Sequence, residues 1–146
     1  MQWNDEKNSG FSTARQEQLY LPIDPDPDRP TVEKQMKNEK SLWNRVRQLV
    51  ELRKNTPGLG ADAEFIPLNP DGCEYPFVYQ RGGETDDNRY LIVLNPSGNA
   101  VETTIPMQAE TASILHTATH PADIKLADDQ AQIKAPPLTA SVHTLD

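Results

Sequence analysis

From residue 63 onward the chain consists of short apolar-rich runs separated by turn-forming residues, a rhythm that few folds can accommodate. The runs fall at 63–68, 77–80, 90–94, 101–105, 112–116, 124–126, 132–134 and 141–145. Between them stand Asn69-Pro-Asp-Gly, Gly82-Gly, Asn95-Pro-Ser-Gly, Asp128-Asp and Pro136-Pro, residues that favour tight turns through positive φ, fixed φ or local side-chain hydrogen bonds. A spacing of roughly 8–12 residues between such runs predicts an antiparallel sandwich or barrel. Val101, Thr103 and Ile105 alternate with Glu102 and Thr104, as a half-buried strand requires. The run 90–94 is more continuously apolar and is expected to be a central strand.

The pattern upstream is different. Residues 1–30 hold Trp3, Phe11 and Tyr20 without helical or strand periodicity, and then Pro22, Pro25, Pro27 and Pro30 punctuate an acidic run of Asp24, Asp26 and Asp28. This reads as a long loop, a segment that is either functional or built to pack against something else. Residues 31–54 turn helical. Thr31 can cap a short first helix through Val32, Gln35 and Met36, and Asn38 or Ser41 can cap a longer one. In the longer helix Leu42, Val46, Leu49 and Val50 recur at i, i+4, i+7 and i+8, and Trp43 and Leu52 widen the stripe, so neighbours are expected on more than one face. Asn55, Thr56, Pro57 and Gly58 end it. The expected organisation is 1–58 as loop plus helices and 59–146 as a β-sandwich: a mainly β chain, an antiparallel Greek-key β-sandwich preceded by a long loop and one or two α-helices.

Charge and composition narrow the function. A net charge of −8 repels polyanions at long range, which argues against nucleic acid or an anionic membrane surface as partner and leaves neutral ligands such as sugars open. No run approaches the roughly 20 apolar residues of a membrane span, and Asn4, Asp5, Glu6 and Lys7 do not form the apolar core of a signal peptide, so a cytoplasmic chain is expected. Cys73 is the single cysteine, which excludes an internal disulfide and reads as an idle thiol.

Candidate chemistry is sparse. Asp24, Asp26 and Asp28 offer hard oxygens but lack the glycine and terminal glutamate of a calcium loop, and read as a solvated acidic segment. His116, His120 and His143 lack zinc-ligand spacing, and no metal or other cofactor is expected. Glu6, Glu17 and Glu33 do not single out an acid–base pair of the kind glycoside hydrolysis needs. Ser9-Gly10-Phe11-Ser12 is not a nucleophile elbow. Trp3, Phe11, Tyr20, Trp43 and Tyr75 are flat apolar surfaces on which the C–H face of a sugar ring can dock, with core packing the commoner fate of an aromatic.

Several separated motifs carry a resemblance. Met1-Gln2-Trp3-Asn4-Asp5, then Asn8-Ser9-Gly10-Phe11-Ser12, then Leu19-Tyr20-Leu21-Pro22-Ile23-Asp24-Pro25, followed by Thr31-Val32-Glu33-Lys34-Gln35 and Leu49-Val50-Glu51-Leu52-Arg53-Lys54, stand in the order found after the last barrel strand of glycoside hydrolase family 13. The subgroup resembled includes oligo-1,6-glucosidase, α-glucosidase, trehalose synthase and sucrose isomerase. The resemblance covers residues 1 to about 60, and the strand-rich remainder agrees in position and length with that family's C-terminal β-sandwich.

The resemblance implies that the helices are the last of a (β/α)8 barrel and that the parent enzyme acts on α-glucosides by a retaining mechanism. In the family an aspartate nucleophile, a glutamate acid–base and a second aspartate lie on the barrel's C-terminal face. All three precede the segment resembled here, and the family's Met-Gln-Trp normally follows Arg-Thr-Pro. The expectation is therefore a chain cut inside that loop, without catalytic residues and inactive alone, whose role is to stabilise a missing barrel. Gln2, Trp3 and Phe11 are the residues the resemblance places near the sugar in an intact enzyme. Self-association through the exposed helix is also expected. The alternative is a stand-alone carbohydrate-binding sandwich using Tyr75, Phe77 or Tyr79.

Overall fold

All eight runs form strands. In the computed structural model, which describes residues 2–69, 72, 74–83 and 88–146, they are β1 (Phe65–Pro67), β2 (Phe77–Arg81), β3 (Arg89–Asn95), β4 (Val101–Pro106), β5 (Ala112–Thr117), β6 (Asp123–Ala127), β7 (Gln130–Ala135) and β8 (Thr139–Leu145). Met1, Cys73 and the Pro70-Asp71 pair of the expected turn lie outside the described residues. The strands make two antiparallel sheets, one of five in the order β1-β2-β3-β8-β5 and one of three in the order β4-β7-β6. The chain changes sheet at β3–β4, β4–β5, β5–β6 and β7–β8, the crossed connectivity of a Greek-key sandwich.

Alternation places the core between the sheets. Val78, Leu91, Val93 and Leu145 from the larger sheet meet Ile105, Ala131, Ile133 and Ala135 from the smaller one, and each large aliphatic side chain so buried contributes about 1.5–3 kcal/mol. Gln130, Gln132 and Lys134, between the buried positions of β7, face solvent. β3 sits at the middle of its sheet and also buries Tyr90 and Ile92 on its other face. The short turn Pro57–Leu59 lies against β3: a Cβ on Gly58 would collide with the ring of Tyr90 and the carbonyl of Asn88, so only glycine allows that approach.

Asparagines bridge the ladder where strands stop. Asn69 donates to the Pro76 carbonyl and accepts from the Val78 amide, both at 2.6 Å, extending the β1–β2 pairing with a side chain. Asn95 is fully buried; its amide donates to the carbonyls of Asn99, Ala135 and Pro136, and its oxygen accepts from Ser97. Between β6 and β7, Asp128 and Asp129 take φ of 52° and 57°, the two left-handed residues of a tight hairpin.

By compactness the chain divides into Met1–Leu52 and Arg53–Asp146. The first unit holds α1 (Val32–Lys37), capped by the Thr31 hydroxyl, and most of α2 (Leu42–Asn55), where Ser41 Oγ accepts from the Asn44 amide at 3.2 Å. The Asn44 side chain in turn donates to the carbonyls of Gln35 and Asn38 at the end of α1, adding to the hydrogen bonds these accept from the amides of Asn38 and Ser41. No α2 residue is buried, contrary to the expectation of neighbours on two faces, and Leu42, Val46, Leu49 and Val50 present their stripe to the surface. Among the described residues no helix is long and apolar enough to cross a membrane.

His143 is buried on the inner face of β8. Ser141 Oγ accepts from the Ala122 amide at 3.3 Å and lies within hydrogen-bond distance of His143 Nε2, 3.0 Å away. Nδ1, the other ring nitrogen, is buried and has no hydrogen-bond partner among the described residues. Burial lowers the pKa of His143 below the ordinary value. The unfolded chain therefore takes up this proton before the folded one does: the stability present above about pH 6.5 is lost as pH falls towards the folded pKa. Urea unfolding should show a lower midpoint at about pH 5.5 than at about pH 7.5, and His143→Gln should flatten that difference. An equal pH dependence in both proteins would assign the titration elsewhere.

Candidate functional site

The resemblance places the candidate residues in the opening loop, and backbone hydrogen bonds fix that loop. The first amides of a helix have no partner within it. In α1 the Val32 amide donates to the Gln2 carbonyl at 3.0 Å, the Glu33 amide to the Trp3 carbonyl at 2.9 Å, and the Lys34 amide to the Thr31 hydroxyl at 3.3 Å. Gln2 and Trp3 are thus seated on the helix N-terminus by their main chain, which leaves their side chains unconstrained by that anchor.

A second bracket comes from Asn8-Ser9-Gly10. All three take left-handed conformations, with φ of 54°, 52° and 72°. Asparagine and glycine tolerate this region best. The Ser9 carbonyl accepts from the Trp3 amide at 2.8 Å, and the buried Asn8 side chain donates to the carbonyls of Ser12 and Ala14 at 2.9 and 2.8 Å. Asp5 adds an ionic tie, with its carboxylate 3.1 Å from Arg29 and 3.0 Å from Lys34. The Lys34 hydrogen bond, helped by the charges of Lys34 and Arg29, holds the Asp5 pKa below the ordinary carboxylate value against the opposing effect of desolvation.

What this frame offers is two aromatic surfaces: Trp3 is 48% exposed and Phe11 43%. Gln2 is half-buried, its side-chain oxygen 3.5 Å from Ser9 Oγ. Gln2 and Trp3 share one anchor, whereas Phe11 emerges beyond the left-handed turn, tied back by its amide to the Asn8 carbonyl at 3.3 Å. The bracing residues Asn8, Asp5, Arg29 and Lys34 are not among the expected site residues. The Asn-Ser-Gly run was a readable signal for the turn, but no local rule joins Asp5 to side chains 24 and 29 positions away.

Asp24 and Asp26 each cap a local turn by accepting from the amide two residues on, at 3.0 and 2.8 Å, and no cluster of metal-ligating side chains occurs among the described residues. Tyr20 is almost wholly exposed, and Trp43 lies under the Arg47 guanidinium, 5.8 Å from ring centroid to cation. Phe77 and Tyr79 pack at 5.3 Å, joined at 4.9 Å by Phe65, a partner from β1 absent from the expected set. Burial raises the Tyr79 pKa, with the Arg81 charge opposing.

Residues 1–62 match the family model described as the catalytic domain of alpha amylase. By sequence, the chain is a relative of the α-amylase family. It is 31% identical over 119 residues to the glucan 1,6-α-glucosidase of Streptococcus pneumoniae, covering 81% of this chain and 21% of that one. It is 37% identical over 93 residues to the trehalose synthase/amylase of Mycobacterium tuberculosis, covering 60% and 15%. Among solved structures, isomaltulose synthase from Erwinia rhapontici superposes with a TM-score of 0.75 at 23% identity, over 99% of this chain and 24% of that one. The isomaltulose synthase of a Klebsiella species gives 0.69 at 25% identity, with the same two shares. The α-amylase-like chain thus spans 15% to 21% of the length of these curated relatives.

Because Trp3 and Trp43 are the only tryptophans and both lie in the first unit, their fluorescence reports that unit. Gly10→Ala puts a side chain at φ 72° with its Cβ 2.5 Å from Asn4 Oδ1, and should destabilise the unit by about 1–2 kcal/mol in urea titrations. An unshifted midpoint would show that the left-handed turn is not what holds the loop.

Proposed function

We propose that this chain is a noncatalytic C-terminal portion of an α-glucoside hydrolase or glucosyltransferase, in which α2 closes a catalytic barrel and the sandwich stabilises it. The observation that carries the reading is the apolar stripe of α2: Leu42, Val46, Leu49 and Val50 lie on one helix face and between 43% and 70% exposed. A 14-residue amphipathic helix with that face open is half of a packing interface. The helix lies within the segment that matches the alpha amylase catalytic domain, and the partner proposed for it is the remainder of such a domain, a barrel by the family resemblance.

In that setting Gln2, Trp3 and Phe11 shape the region that receives the α-glucoside, with the two aromatic rings taking its C–H faces. Acid–base and nucleophilic chemistry is assigned to the barrel. Free of a barrel, α2 is proposed to pair with a second copy of the chain.

Purified chain should release no glucose from maltose, isomaltose, trehalose or sucrose; hydrolysis of any of them would overturn the noncatalytic assignment. Sedimentation velocity should show self-association rising with concentration, abolished by combined Val46→Lys and Val50→Lys substitutions. A monomer at high concentration in the unsubstituted chain would remove the stripe as an interface.

A further inference from the structure

At the β1 edge of the larger sheet the sandwich opens into a cleft of about 610 Å³, within the range of small-ligand pockets. One wall is apolar: Ile66 and Leu68 from β1 and its continuation, and Met107 just after β4. Four polar residues line the same space, Gln80 from β2, Arg89 from β3, Gln108, and Asp129 from the β6–β7 hairpin, with one Gln80 amide proton already given to the Gly82 carbonyl at 2.9 Å. Two hydrogen bonds brace the rim. Arg89 donates to the Gln108 carbonyl at 2.8 Å, and the Met107 amide to the Asp129 carbonyl at 2.9 Å.

We infer that this cleft binds a neutral polyhydroxylated ligand, an α-linked glucose disaccharide or the end of a longer α-glucan. The chemistry of the lining supports that class. Amide, guanidinium and carboxylate groups are flat, two-pronged hydrogen-bonding units that match adjacent hydroxyls on a sugar ring. The aliphatic wall suits the ring's C–H face. Among the described residues the lining carries one guanidinium and one carboxylate, a balance that disfavours both anionic and cationic ligands. The choice of glucose among sugars rests on the reading under Proposed function, while the location of the site rests on the cleft alone.

The test is a titration of the 146-residue chain with maltose, isomaltose and trehalose, followed by amide chemical shifts. Shifts should cluster at Gln80, Arg89, Gln108 and Asp129. Arg89→Gln and Asp129→Asn, which keep hydrogen-bonding capacity and leave the core untouched, should each weaken binding by about tenfold, the loss of one charge-assisted bond. No shifts at saturating sugar, shifts unchanged in both variants, or shifts centred on Phe65, Phe77 and Tyr79 would each overturn the cleft as the site. Binding of galactosides with equal affinity would leave the site standing and remove the glucose assignment. The sedimentation and hydrolysis results bear on the noncatalytic role independently of all of these.

Discussion

Backbone amides and carbonyls that regular structure leaves unpaired must find partners, and in this chain those partners are supplied by a small number of polar groups at element ends. The carbonyls of Gln2 and Trp3 serve the first amides of α1, and Asn44 serves the carbonyls at its other end. Asn69 prolongs the β1–β2 ladder, and Asn95 gathers the carbonyls where β7 gives way to β8. Each such pairing converts a loop that would be free into one with a defined path. Leaving a buried polar group unmatched costs about 1–3 kcal/mol, comparable to burying one aliphatic side chain, so these few residues matter as much to the shape as the core does.

The two units use this constraint differently. In Arg53–Asp146 the polar brackets finish a structure that hydrophobic burial between two sheets already holds. In Met1–Leu52 there is little buried apolar surface, since neither helix buries a residue. There the brackets and the Asp5 ion pairs are the main determinants of the path. A loop held by its main chain exposes Trp3 and Phe11 while hydrogen bonds keep its backbone path.

Much of the sandwich was legible because strand alternation and turn chemistry are local. The apolar run 90–94 marked β3 as central, and it lies third of five strands. The edges were less legible. Residues 63–68 shrink to Phe65–Pro67, because ladder pairing at the sheet edge is taken over at Asn69 by a side chain, and side-chain pairing leaves no periodic trace. β7 is longer than the run 132–134, since Gln130 and Ala131 are paired by the tight hairpin before them. For the candidate loop, the motifs single out Gln2, Trp3 and Phe11 as candidates. The bracing by Asn8, Asp5, Arg29 and Lys34 joins residues that sequence spacing does not relate.

By itself the sequence determined the eight strands, the capped helices and the relation to the α-amylase family, because periodicity, capping and turn preference act over a few residues and motifs preserve their order. Tertiary structure alone decided which strands are neighbours, that His143 faces the core with one nitrogen unmatched among the described residues, and that four polar residues from distant segments line one cleft. It also decided that the α2 stripe stays open. These are matters of long-range packing, in which a side chain's surroundings depend on segments tens of residues away, and no local rule of the chain carries that information.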